Sequence, residues 1–308
     1  MAPDSFGIAA IGSYLPETRQ DNAQLASKFG FADDFLASKI GVIAPARKDA
    51  SEETSDLCVK AYEDLKARAG DELSDLDLIV VVTQNPDGHG LPHTSAIVHR
   101  KLDLPRKCFA FDVSLGCSGF VAALAVVKGY LTATGGRRAV LFTADPYSKV
   151  LNQDDKNTAL IFGDGAAATL IAETPNWRIG AFDFGTDGKK AAALCVMPDD
   201  KLVMNGRSVF DFCALNVPGS VNRTLAANGL TKEDVQGFVL HPGSKFIVDT
   251  LHDRLKVPHV PFPAPYGNTV SSSVPLILKD MDPAKQRTLL ISGFGVGLSW
   301  ATTVLRTA

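Results

Sequence analysis

Four short apolar runs constrain this chain most: LDLIVVVT (76–83), CFAFDV (108–113), AVLFTA (139–144) and TALIF (158–162). Runs of this length, rich in β-branched and aromatic residues, read as strands buried on both faces. Helix-period stretches stand between them, TSAIVHRKL (94–102) and SGFVAALAVVKGYLTA (118–133). The second is rich in Ala and Gly, so it can pack very closely against its neighbours. Strands that alternate with helices predict an α/β fold whose sheet is covered on both faces.

A second round follows the first. GDGAAATLIA (163–172) reads as a turn and another strand, and TPNWRIGAFDFGTDGKK (174–190) as a polar, turn-rich boundary. That divides the chain into an N-terminal half, 1–173, and a C-terminal half, 174–308. In the latter the pattern predicts a helix near 208–229, a strand at 237–241, helices at 244–255 and 269–280, and strands at 287–295 and 297–306. TKED (231–234) has capping-box character, with Asp in the place of Glu. The halves share no obvious sequence repeat, so only the order of elements suggests a duplication. At 308 residues, either one large domain or two fused halves can bury a core.

Several function classes are disfavoured at once. A net charge of −3 argues against broad nucleic-acid binding, although a local basic patch for an acidic partner is compatible with it. The opening MAPDSFGIAAIGSYLPE lacks the basic-then-apolar order of a secretory leader. The longest apolar run, Phe120 to Val127, is too short to span a bilayer. Cys58, Cys108, Cys117, Cys195 and Cys213 are odd in number and widely spaced, which suits reduced thiols and a cytoplasmic location. No metal site is expected, because Gly90 and Pro92 between His89 and His93 spoil a helical ligand face.

Cys117, in DVSLGCSGF, stands where a strand gives way to a helix, between Gly116 and Ser118-Gly119. Amides and the dipole of a helix N-terminus favour a thiolate there. A small buried cysteine filling a tight contact is the competing reading. His241 closes the strand GFVL and is followed by Pro242-Gly243; it is either a turn histidine or a side chain aimed into a cleft. Asn268, after Gly267, is either an N-cap or a donor at the same cleft. GFGVGL (293–298) follows a strand but leads into another strand, so a dinucleotide-binding reading lacks its helix.

Taken together, DVSLGCSGF, IFGDGAA, LHPGSKFIVDTL, YGNTVSSSVP and SGFGVGLSWA resemble the condensing enzymes of the thiolase superfamily, most closely β-ketoacyl-[acyl-carrier-protein] synthase III. GIAAIGSYLPE, IGVIAPAR and SEETSDLCVKAYEDL carry the likeness through the N-terminal part. The resemblance implies a five-layered αβαβα sandwich of two similar βαβαβαββ halves, normally a homodimer. It implies Cys117 as the acyl-accepting nucleophile, with His241 and Asn268 steering decarboxylation of a malonyl thioester on acyl carrier protein. The backbone N–H groups of Cys117 and Val296 would form the oxyanion hole. The acyl group would arrive on coenzyme A or a carrier protein, in fatty acid or related acyl-chain synthesis, and no cofactor beyond these thioesters would be needed.

The departures from the family pattern concern substrate binding. Phe35 replaces the family's Trp, and Lys39 and Lys156 replace two coenzyme A-contacting Arg residues, losing the bidentate fork. Leu91 takes the place of a Phe that caps the acyl pocket from the partner subunit, which predicts primers longer than acetyl. HPGS replaces His-Gln-Ala-Asn, and Lys245, Arg254 and Lys256 behind it are either a basic edge for an acidic carrier protein or a solvated helix face. A non-condensing acyltransferase and a partner subunit of a heteromeric enzyme are the alternatives.

Overall fold

The computed structural model describes residues 6–307 apart from residues 33 and 261. The first five residues, on which the leader reading partly rests, and Asp33 of the DDFLASKIGV motif lie outside the described residues. The N-terminal half supplies strands β1 (Gly7–Tyr14), β2 (Leu78–Val82), β3 (Phe109–Val113), β4 (Arg138–Ala144) and β5 (Ala166–Ala172). The C-terminal half supplies β6 (Trp177–Thr186), a short hairpin of β7 (Leu194–Val196) and β8 (Leu202–Met204), then β9 (Gly237–Leu240), β10 (Thr288–Gly295) and β11 (Ser299–Thr307). The helices are α1 (Asn22–Lys28), α2 (Thr54–Ala69), α3 (Thr94–Lys101), α4 (Gly119–Thr134), α5 (Gly206–Ala227), α6 (Lys245–Leu255) and α7 (Ser273–Leu278).

The main sheet runs β3-β2-β4-β5-β1-β6-β11-β10-β9. It is two sheets in all but a short seam, because β1 meets β6 at only Gly7–Arg178 and Ile8–Trp177. In the first part β2, β3 and β4 are mutually parallel and β5 is antiparallel to both β4 and β1. The second part repeats this order: β9 is parallel to β10, and β11 is antiparallel to both β10 and β6. Among the described residues, no strand takes the place that β3 holds in the first part. The duplication is therefore written in topology, not in repeated sequence.

The layers follow from which helices pack on which strands. Helices α2 and α3 cover the outer face of the first sheet, and α5, with α6 against it, covers the second. Helices α4 and α7 touch strands of both sheets and form the middle layer, giving the order αβαβα. Phe120, Leu124 and Val127 of α4 are fully buried there with Val274 and Leu278 of α7. A helix apolar on nearly every side suits a position between two sheets. The five apolar residues of β2 are all buried, as a central parallel strand requires.

Three local expectations need correction. TALIF is a series of turns with one isolated bridge, Phe162 to Asn268, and not a strand. The supposed turn-rich segment at 174–190 contains the ten-residue strand β6, whose outward residues are polar or exposed. The helix expected at 269–280 is a 3₁₀ turn at Val270–Ser272 followed by the short α7. At Thr231 and Asp234 the capping-box bonds form in both directions, on a single 3₁₀ turn.

Candidate active site

Cys117, His241 and Asn268 line one cavity of about 490 Å³, together with Phe35, Lys39 and Cys213. All three candidate catalytic residues are buried. Each is fixed by backbone more than by side-chain contacts. His241 follows β9, and its N–H donates to the carbonyl of Ser292 on β10 (2.9 Å). Pro242-Gly243 end the strand, and Ser244 caps α6 by accepting from the N–H of Ile247 (3.4 Å). Asn268 is held on both sides by the IFGD turn: its N–H donates to Ile161 and its carbonyl accepts from Gly163, both at 2.9 Å. The TALIF segment misread as a strand is thus the cradle of Asn268.

Side-chain bonding fixes the amide orientation of Asn268. Its Oδ1 accepts from the N–H of Val270 (2.9 Å) and from Oγ of Ser273 (3.3 Å), so Nδ2 is the group left to donate. Both ring nitrogens of His241 are buried without a hydrogen-bond partner. Burial pushes its pKa down to about 3, so the imidazole is neutral at ordinary pH. The ring stands edge-on to Phe294, with centroids 5.8 Å apart.

Cys117 lies one residue ahead of the cap of α4. The helix N-terminus was expected to favour its thiolate, but desolvation dominates. Burial pushes the thiol up to about 12, against the smaller downward pull of two amides, those of Val296 and of Cys117 itself. Those two N–H groups converge on one sulfur. Strand β10 passes so close that a Cβ on Gly295, whose φ is +150°, would lie 2.8 Å from Sγ of Cys117. Two hydroxyls that sequence reasoning missed join these segments: Ser118 bonds Ser299 at 2.8 Å, and Ser299 donates to the carbonyl of Val296 at 3.0 Å.

The substrate-binding candidates divide. Phe35 and Lys39 border the cavity; Phe35 stacks on Phe31 (4.1 Å between centroids), and Nζ of Lys39 lies 4.3 Å from the ring centroid of Phe246. Lys245 faces a neighbouring cavity with Arg19 and Phe262, and pairs with Asp249. Leu91 and Lys156 are exposed and do not border either cavity. The sequence reading missed Arg207, Phe210 and Phe246, which border the main cavity; Phe210 and Phe246 stack at 5.1 Å. Successive helix residues are about 100° apart, so α6 can turn only one of Lys245 and Phe246 inward.

Comparison with known proteins places the chain in a family. The family model for 3-oxoacyl-[acyl-carrier-protein] synthase III matches residues 111–188, and the model for its C-terminal part matches residues 225–307. The β-ketoacyl-[acyl-carrier-protein] synthase III of Deinococcus deserti is 32% identical over 98% of this chain and 91% of its own length. The chain belongs to the β-ketoacyl-[acyl-carrier-protein] synthase III family. It is accordingly an acyl-transferring condensing enzyme of the thiolase superfamily. The crystal structure of the Thermus thermophilus synthase III superposes with a TM-score of 0.89 at 33% identity, covering 98% of this chain and 99% of that one. A priming β-ketosynthase of the R1128 polyketide pathway superposes at 0.88 with 26% identity, over 98% of this chain and 96% of that one. Among the described residues no helix is long and apolar enough to cross a membrane, and no three His, Cys, Asp or Glu side chains are grouped to hold a metal.

Proposed function

We propose that this synthase III family member takes an acyl group from an acyl thioester onto Cys117 and condenses it with malonyl-[acyl-carrier protein]. The observation that carries the reading is the meeting of Cys117, His241 and Asn268 in one buried cavity. In the first step sulfur attacks the thioester carbonyl, and the tetrahedral oxygen accepts from the N–H groups of Cys117 and Val296. The carrier thiolate departs and takes up the proton that Cys117 gives. In the second step the malonyl C–CO₂ bond breaks. The negative charge that appears on the thioester oxygen is held by the N–H of neutral His241 and by Nδ2 of Asn268. The carbon of that enolate attacks the acyl carbonyl, the C–S bond breaks, and Cys117 leaves as thiolate with the β-ketoacyl product formed. The thioesters supply all the chemistry, so no further cofactor is required.

The cavity mouth supports a carrier that presents apolar surface. Phe35, Phe246 and Lys39 flank it, with Arg207 at the start of α5. A second cavity, of about 370 Å³, shares Leu194 with the first and reaches Val296. That space supports primers longer than acetyl. The homodimer is supported by β3, whose outer edge pairs with no strand among the described residues and which leaves Phe109 53% exposed. An apolar open edge favours pairing with a second copy, and Leu91, 93% exposed, is then free to reach a partner's pocket as the resemblance implies. Light scattering is expected to give the mass of two chains; a single-chain mass would contradict the dimer.

Fatty acid synthesis is the setting that the family supports, and likeness to a polyketide-priming ketosynthase favours the same chemistry in a second setting. The test is to supply acyl-loaded enzyme with malonyl-carrier protein labelled in its free carboxyl. Labelled CO₂ is expected in step with β-ketoacyl product. Acyl transfer to another nucleophile without CO₂ would replace this reading with that of a non-condensing acyltransferase.

A further inference from the structure

Asp145 directly follows β4 and is completely buried. One carboxylate oxygen accepts from the backbone N–H of Gln84 (2.6 Å) and distantly from Thr83 Oγ1 (3.5 Å); the other accepts from Ser271 Oγ (2.6 Å). Gln84 and Ser271 are 61 and 126 residues away from it along the chain. Both segments it grips press on the nucleophile's loop. A Cβ on Gly116 would lie 2.5 Å from Gln84 Oε1 and 3.2 Å from Val270 Cγ1, the residue before Ser271. Ser271 is also three residues after Asn268, whose Oδ1 is bonded to Val270.

We infer that Asp145 is a positioning residue: its buried carboxylate clamps the Gln84 loop and the Asn268 segment around Gly116-Cys117 and stands as an anion behind the nucleophile's loop. A buried anion without a cation is costly, which implies that something else retains it. The groups facing it bear this out. Cys117 at the start of α4, Cys58 on α2 and the phenol of Tyr147 all feel its charge as an upward push, and Cys58 also feels Asp87, Asp112 and Lys101. The loop after β2 contributes only Thr83 and Gln84, and the segment after Asn268 only Ser271, all uncharged. Burial lifts Asp145 itself to about 6, with Gln84 and Ser271 pulling it back, so the carboxylate form predominates above that pH.

Asp145→Asn tests the charge. The amide retains the Gln84 bond through its oxygen, and Ser271 can turn its hydroxyl to accept from the new NH₂. Cys117 alkylation by iodoacetamide, followed by peptide mass mapping between pH 7 and 9, is expected to speed up about threefold. Removing the anion favours the thiolate, and every tenfold gain in thiolate is offset by about threefold lower intrinsic nucleophilicity. Ser271→Ala keeps the charge and cuts the clamp. Its alkylation rate is expected to stay within twofold of wild type, whereas CO₂ release falls about tenfold and acyl loading holds. An unchanged or slower rate in Asp145→Asn overturns the inference. So does an equal rise in Ser271→Ala, which would report access and not charge. Loss of loading and CO₂ release together in Ser271→Ala would show a merely structural bond and also overturns it. The CO₂ readout rests on the proposed role of Asn268, whereas the alkylation readout is independent of it, so failure of either reading is recognisable.

Discussion

Replacing His241 by Ala is expected to lower CO₂ release from malonyl-carrier protein about a hundred- to thousandfold, the usual loss when one preorganised donor to an oxyanion is removed. Acyl loading of Cys117 should change little, because the loading oxyanion is served by the amides of Cys117 and Val296. The reason lies in burial: both imidazole nitrogens are free of protein partners, so the ring is poised to donate to a ligand and not to the scaffold. The same burial fixes the expected pH behaviour. A histidine held at about 3 is neutral over the working range, so the wild-type condensation rate should show no inflection from His241 between pH 5 and 8. Parallel measurement of loading and CO₂ release checks both points. Equal losses in the two steps, or a rate that rises through pH 6.5 only when His241 is present, would count against this role.

Gly295→Ala is expected to damage catalysis severely although it alters none of the three catalytic side chains. The added Cβ would meet Sγ of Cys117 at 2.8 Å and its Cβ at 2.9 Å, on a backbone with φ of +150° that side-chain-bearing residues rarely adopt. Backbone strain of this kind costs about 1–3 kcal/mol, or a fall in melting temperature of roughly 5 °C. The functional loss should be larger than the stability loss. Either the nucleophile or the Val296 amide must move, and an ångström of misplacement is worth on the order of a hundredfold in rate. Thermal melting together with the acyl-loading rate gives both numbers. Wild-type loading by the Gly295→Ala protein would mean that this close contact does not position the nucleophile.

The sequence was most legible where chemistry and backbone demand coincide. Cys117 and Gly116, His241 before Pro242-Gly243, and Gly267 before Asn268 each pair a functional side chain with a residue that bends or thins the chain. The strands β2 and β4 were legible because parallel strands covered on both faces must be apolar throughout. What was hidden depends on contacts between distant segments. TALIF has a strand's composition, but its task is to cradle Asn268, and no local pattern announces that. Strand β6 looked like a loop because one of its faces carries charged, polar and glycine residues. Phe246 was passed over for Lys245 because only the phase of α6 decides which of the two faces the cavity. The thiolate-favouring effect of a helix start was legible; the greater cost of enclosing the sulfur was not, since enclosure is made by β10 and by the turn carrying Val296.

The central claim is that Cys117 carries the acyl group. Intact-mass measurement after incubation with acyl-CoA thioesters from acetyl to decanoyl tests it most directly. The account predicts one acyl adduct per chain on the wild-type protein, retained best for a chain longer than acetyl, and none on Cys117→Ala. An adduct that persists in Cys117→Ala, or no adduct with any acyl group, would contradict it.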